Sequence, residues 1–409
     1  MIYVRNSENM TKGISRSFII LNVFLYTSLL SQNSISQADS LLKLKKYNTA
    51  FKLLNSLDHS NENPETVLNK VDIALNYFVQ SIMHQIFSFK DISPNENILD
   101  YRGQSGSSDM YPFAIDSVLT RAIKAHPQNG KLYKSLGDFY YDVQSKYAGH
   151  WLIEDEELLS RAGVNYSKAI TLGIQDYESL HNLGVIYLKQ DKIDDAIPLL
   201  KKSIELNRSF PSSHYNLAYA YYSKTNYRDA LGYALEAYKC YDYEDLKSDA
   251  ARLSAKCYEA TGKNKEALHY FEEANRLTPD NYRVLADLLD LSLKLKLQGK
   301  ADTVSLAIYA LGPTKPKVIT DIMNYYFDYD LQSELPRVFQ NFILAHSQED
   351  EALGNIAFYQ SSYYASQKNV SEALKYLNTA ESYFQKCLKS DHVVFNAIKE
   401  ARASLESKK

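Results

Sequence analysis

Apolar and polar residues follow the spacing of amphipathic helices along most of this chain. Between residues 130 and 281 the apolar positions recur at intervals of three and four, the 3.6-residue period of a helix with one buried face. Short polar turns separate these stretches, so the pattern predicts helices in pairs. The pairs repeat. YESLHNLGVIYLKQDKIDDAIPLLKKSIELNRSF (177–210) aligns without a gap on PSSHYNLAYAYYSKTNYRDALGYALEAYKCYDYE (211–244), a period of 34 residues. Leu183 falls on Leu217, Gly184 on Ala218, Tyr187 on Tyr221 and Ala196 on Ala230. After a slip of three residues, 248–281 supplies Ala255, Tyr258, Gly262, Ala267, Phe271, Ala274 and Pro279.

The pattern has a packing logic. Small residues (Gly184, Ala218 and Ala255, then Ala196, Ala230 and Ala267) are expected where two antiparallel helices cross closely. Leu183, Tyr187 and Phe271 are expected to fill the space between them. Pro279 stops its helix. Pro198 reads as lying near a helix start, where a missing N–H is tolerated.

These residues closely resemble the tetratricopeptide repeat family, with Leu-Gly, Tyr, Ala, an aromatic, Ala and Pro at fixed offsets. The resemblance implies an all-α fold, an α-α superhelical solenoid of antiparallel helix pairs. Looser copies flank the core. GKLYKSLGDFYY (130–141) is a first helix whose second helix arrives late, at Ala162, Tyr166 and Ala169, with YAGHWLIEDEE (147–157) inserted between. KKYNTAFKLLNSL (45–57) reads as a second helix, as does SEALKYLNTAESY (371–383), and 316–346 reads as an irregular pair. The division is then 1–38 signal peptide, 39–129 degenerate repeats with a polar loop at 91–110, 130–281 core repeats and 282–409 degenerate repeats. Roughly seven helical pairs and a capping helix are expected. GPTKP (312–316) marks a kink.

The first residues add a location. Arg5, Lys12 and Arg16 precede an apolar run from Phe18 to Leu30, and Ser36 and Ala38 fit a small-residue cleavage pattern. Ser31 is an alternative cleavage point, and an uncleaved anchor or a buried helix is the competing reading. The run is too short to span a bilayer, which takes about 20 helical residues. Export to the periplasm or cell envelope is expected, with no integral span in the mature chain.

Composition then narrows the classes. Gly (14) and Pro (10) are scarce, which favours helices with short connections. Without residues 1–38, which hold three basic residues and one acidic one, the net charge moves from −3 to −5, so no field for nucleic acid exists. Three cysteines (Cys240, Cys257, Cys387) are too few for a disulfide scaffold and read as small buried thiols, with a Cys240–Cys257 bridge as the alternative. No catalytic constellation, Gly-rich phosphate loop or metal-ligand spacing is present, so neither enzyme nor cofactor is expected. His150 and Glu154 read as a solvated turn. The acids from Glu154 to Glu157 read as a helix first turn, where the dipole favours them.

The family resemblance implies that the first helix of each pair lines a concave binding face. At the lining positions stand Lys134 and Tyr141; His181, Val185 and Leu188; Tyr215, Tyr219 and Tyr222; and Arg252, Lys256 and Glu259. Its centre is aromatic and one side basic, which suits an extended peptide or a partner helix. The competing reading packs the tyrosines between repeats, since the chain has 34 of them. A family clamp for chaperone C-terminal carboxylates matches at Lys134 and Asn182 but fails at Asp138, Ser212 and Asn216, and Asp138 would repel the carboxylate. The expected function is an exported scaffold for an unidentified protein or peptide. The alternative is a helical glycan- or solute-binding protein of the cell envelope. A sensor module ranks last, because no signalling domain follows ASLESKK.

Overall fold

The computed structural model describes residues 35–104 and 109–407. The signal-sequence reading therefore lies outside the described residues, apart from 35–38. The chain divides into two compact units, Met1–Arg208 and Ser209–Lys409.

The first unit opens with a helical segment at 35–43. Helices α1 (Tyr47–Leu57) and α2 (Pro64–Asn76) follow. Asn63 caps α2 by accepting from the Glu65 and Thr66 N–H groups, and Pro64 takes the first position, where no donor is lost. A sheet then appears that helical periodicity does not predict. Strands β1 (Phe78–Ile82), β2 (Ile86–Phe89) and β3 (Met110–Pro112) pair antiparallel in the order β1-β2-β3. β2 packs on α1, where the Phe51 and Phe89 rings lie 4.5 Å apart. The expected loop at 91–110 contributes a 3₁₀ turn, Ile98–Tyr101, and the start of β3.

Five helices complete the unit: α3 (Ile115–Ala125), α4 (Gly130–Tyr147), α5 (Asp155–Thr171), α6 (Tyr177–Lys189) and α7 (Ile193–Leu206). α4 pairs with α5 and α6 with α7. The inserted residues lengthen α4 and form the connection at 148–154, with His150 and Glu154 exposed. Asp155, Glu156 and Glu157 occupy the first turn of α5. Close crossings fall on the predicted glycines. A Cβ on Gly137 would come within 3.0 Å of the Tyr166 ring, and one on Gly184 within 2.8 Å of Leu200. Pro198 corrects its reading: it sits inside α7, where its ring removes one helical hydrogen bond.

The second unit is helical throughout its described residues. Its elements are α8 (Pro211–Ser223), α9 (Tyr227–Cys240), α10 (Glu244–Ala260), α11 (Asn264–Leu277), α12 (Tyr282–Lys294) and α13 (Gln298–Ala310). α14 (Pro316–Asp328), α15 (Leu335–Ala345), α16 (Asp350–Ser366), α17 (Val370–Cys387) and α18 (Val393–Glu406) follow. Consecutive helices pair as α8–α9, α10–α11, α12–α13 and α16–α17, and first helices touch the next first helices at α8–α10, α12–α14 and α14–α16. The 312–316 segment is a turn inside this unit. Cys257 is buried, with its thiol pushed up to about 12 by desolvation, and Cys240 is half-buried. Cys387 is exposed, against the expectation of a buried thiol, and all three are free.

A backbone signature extends the repeat beyond the readable sequence. Positive φ recurs at Asp191, Thr225, Gly262, Lys296, Asp330 and Lys368, each in the turn between the two helices of a pair. Their separations are 34, 37, 34, 34 and 38 residues. The turn geometry thus keeps the period where the side-chain pattern fades.

Candidate functional site

Every predicted groove residue stands on the first helix of a pair. In the first unit these are Lys134 and Tyr141 on α4, and His181, Val185 and Leu188 on α6. Lys134 is committed to a neighbour one turn away: its Nζ donates to Asp138 Oδ2 at 2.9 Å. Asp138 also accepts from the Tyr166 hydroxyl at 2.8 Å, and that oxygen accepts from Asn182 Nδ2 at 3.0 Å. This chain ties α4, α5 and α6 together. The Lys189 ammonium lies 5.8 Å from the Tyr141 ring centre, a second link between α4 and α6. His181 is buried, and desolvation lowers its pKa to about 4, so its ring is neutral at physiological pH. It belongs to the packing more than to a binding face. Val185 and Leu188 are half-buried.

Lys134 and Tyr141 line a cleft of about 990 Å³ whose walls come from α2, α4 and α6. Asp72 on α2 and Glu178 on α6 share it. The α2 residues were missed because 58–90 carries no copy of the repeat signature. The tip of the β1–β2 hairpin is fastened nearby. Its two central residues, Met83 and His84, both have positive φ, the geometry of a type I′ turn. His84 is fully buried; its Nε2 lies 2.9 Å from Asp142 Oδ2 and its Nδ1 3.0 Å from the Tyr147 hydroxyl. Trp151, in the inserted connection, donates from Nε1 to the Met83 carbonyl at 2.9 Å. The insertion therefore has a packing job, which is to hold the hairpin tip against α4.

In the second unit, Tyr215, Tyr219 and Tyr222 follow one another along one face of α8. Tyr215 is half-buried and packs edge-on to Tyr241, with ring centres 6.5 Å apart, and burial pushes its hydroxyl up to about 12. Tyr222 meets Tyr227 edge-on at 5.3 Å. Tyr219 is different: half of its surface, 50%, is open to solvent. On α10, Arg252 pairs with Asp287 of α12, and Lys256 donates to the other oxygen of the same carboxylate at 2.9 Å. Glu259 accepts from Lys294 at 2.7 Å. The predicted basic edge is thus engaged within the fold, one carboxylate serving both cations, and these three residues stitch α10 to α12. Asp287 was not foreseen. Its signal is spacing, because Arg252–Asp287, Glu259–Lys294 and Tyr238–Glu273 all join residues 35 apart, one repeat plus one.

Among the described residues no group of three His, Cys, Asp or Glu side chains could hold a metal ion, and no helix is long and apolar enough to cross a membrane. Stacked antiparallel helix pairs with first helices side by side define the class: a helical repeat protein. The chain carries tetratricopeptide repeats. The family described as TPR repeat matches residues 184–224, and that described as Tetratricopeptide repeat matches 253–281. No curated protein matches by sequence. Among solved structures, the chain is similar to a tetratricopeptide repeat protein from Parabacteroides merdae ATCC 43184 (15% identity, 67% of this chain, 98% of that one, TM-score 0.41). It is also similar to Pseudomonas aeruginosa pilF (15%, 54% and 96%, TM-score 0.40). A third is YrrB, described as a TPR protein with an unusual peptide-binding site (16%, 57% and 97%, TM-score 0.33). The repeats are those of a protein-interaction scaffold.

Proposed function

We propose that this protein is an exported scaffold that binds a protein or peptide partner on the first-helix face of its repeats, with no catalysis of its own. The observation that carries the reading is Tyr219. It stands between two packed tyrosines, yet its own ring is half in water at the centre of the row. Tyrosine is rigid and amphipathic, and is enriched where partners dock. Arg252, Lys256 and Glu259 act as supports for this face, because each is already paired. Export rests on Arg5, Lys12 and Arg16 ahead of the apolar run Phe18–Leu30.

The test is a photoreactive side chain in place of Tyr219 in living cells. Irradiation should yield one dominant protein adduct. The same group at Leu344, 68% exposed on the second helix α15, should yield none. Equal capture at both positions, or none at 219, would overturn the assignment. Retention on an immobilised oligosaccharide in place of a protein would move it to the glycan reading.

A further inference from the structure

The cleft of the first unit has a chemistry that selects its occupant. Five carboxylates and two lysines line it. Half-buried Leu68, Leu75 and Ile174 supply apolar wall beside them. Internal pairing consumes part of the charge. Lys134 lies 2.9 Å from Asp138 and 3.9 Å from Glu178, and Asp142 takes Lys146 at 2.8 Å along with His84. Asp72 has no cation within ion-pair distance among the described residues; its hydrogen-bond partner is the Asn76 amide at 2.8 Å. Asp72 is itself exposed at the cleft wall; partial desolvation there raises its carboxyl, against the pull of that amide and of Lys134, and nearby Asp39 raises it further. Glu65 and Glu178 are exposed at the same wall. A ligand bringing a positive group would relieve this excess, and one bringing a carboxylate or phosphate would add to it.

We infer that this cleft takes a lysine or arginine side chain of the partner peptide, with its methylene stem on Leu68, Leu75 and Ile174 and its cationic head at the Asp72 and Glu178 carboxylates. The apolar wall matters as much as the charge, because long basic side chains bury their stems while their heads stay at polar groups. The inference rests on the scaffold reading above and adds the chemistry of the partner.

The probe is a fluorescein-labelled tetra-arginine peptide, with tetra-glutamate as comparator, titrated by anisotropy against the whole protein. Tetra-arginine should bind and lose most of its affinity between about 0.05 and 0.5 M salt, where screening shortens severalfold in range. Asp72→Asn with Glu178→Gln should weaken it by about tenfold or more, the effect of removing both charge partners of the cationic head. Glu205→Gln with Glu236→Gln makes the same charge change outside the cleft and should leave affinity within about twofold. Ser135→Arg, which supplies a resident cation from α4, should abolish binding independently of the carboxylate variants. The proposal is overturned if tetra-arginine does not bind, if tetra-glutamate binds as well, or if both double variants lose equally. Capture at position 219 alongside a failed titration would retire this assignment and leave the scaffold standing. A successful titration without capture at 219 would do the reverse.

Discussion

Lys70 is fully buried, yet its ammonium meets three acceptors: Asn55 Oδ1 at 2.8 Å, the Asp58 carbonyl at 3.1 Å and Asn61 Oδ1 at 2.6 Å. Its three protons are matched, and the Phe51 and Phe113 rings flank it at 5.8 and 5.3 Å. The group ties α2 to the end of α1 and to the turn that follows. Lys70→Met keeps the volume and strands three acceptors, so it should destabilise the protein by about 2–4 kcal/mol in a denaturant titration. A pH signature separates this from simple packing loss. Burial lowers the folded pKa to about 8 from 10.5, so between those values the unfolded chain binds more protons. The contribution of Lys70 to stability should therefore rise from pH 8 to 10.5, and the rise should be missing from the Lys70→Met protein. Sequence gave no hint of this residue's role, because a lysine on a helix reads as solvated until its three acceptors are placed around it. The small residues at the crossings were legible for the opposite reason. Gly184 and Ala196 recur at fixed offsets in successive repeats, and recurrence reports a contact even when the contact cannot be seen.

At the scale of elements, the turns carry the repeat. Five of the six positions with positive φ in the series from Asp191 to Lys368 are not glycine. A left-handed conformation costs an L-residue about 1–2 kcal/mol, and glycine avoids this at an entropic cost of about 0.5–1 kcal/mol. Thr225→Gly should therefore stabilise the protein by up to about 1 kcal/mol, and Gly262→Ala should destabilise it by about 1 kcal/mol, read as shifts in denaturation midpoint. A Cβ at Gly262 would meet no atom within 4 Å, so the second effect isolates the backbone. Movement of both midpoints in one direction would show that the turns are not equivalent. The sheet was the element that pattern reading missed. FVQSI and IFSF have strand composition, but the hairpin turn between them is Met83-His84 and lacks the Asn-Gly or Asp-Gly signal. Three tertiary hydrogen bonds hold that turn, and none of their partners lies in the hairpin's own sequence.

For the whole molecule, the export proposed above makes a prediction about where the mature chain would begin. Ala38 is fully buried within the 35–43 helical segment, and Leu41 and Leu42 pack against the same core. Cleavage after Ala38 would remove that anchor, whereas cleavage after Ser31 would leave the segment whole. We expect the chain recovered from cells to begin upstream of residue 35, as read from the mass of its N-terminal peptide. A start at Asp39 would show that the segment is dispensable, and an intact Met1 would sink the export reading.

The helix pairs, their period and the close crossings were written in the sequence itself. They depend on residues three, four or 34 positions apart, and such spacings repeat. The placement of the predicted groove residues on first helices was legible on the same ground. What those residues do there was decided by tertiary structure. Arg252 and Lys256 look basic along the chain but share Asp287 across the next repeat, and His181 is neutral because the fold buries it. The hairpin and the acidic cleft arose in the same way. Charge balance and turn strain are settled by partners distant in sequence, and a local pattern cannot carry information about neighbours that only folding supplies.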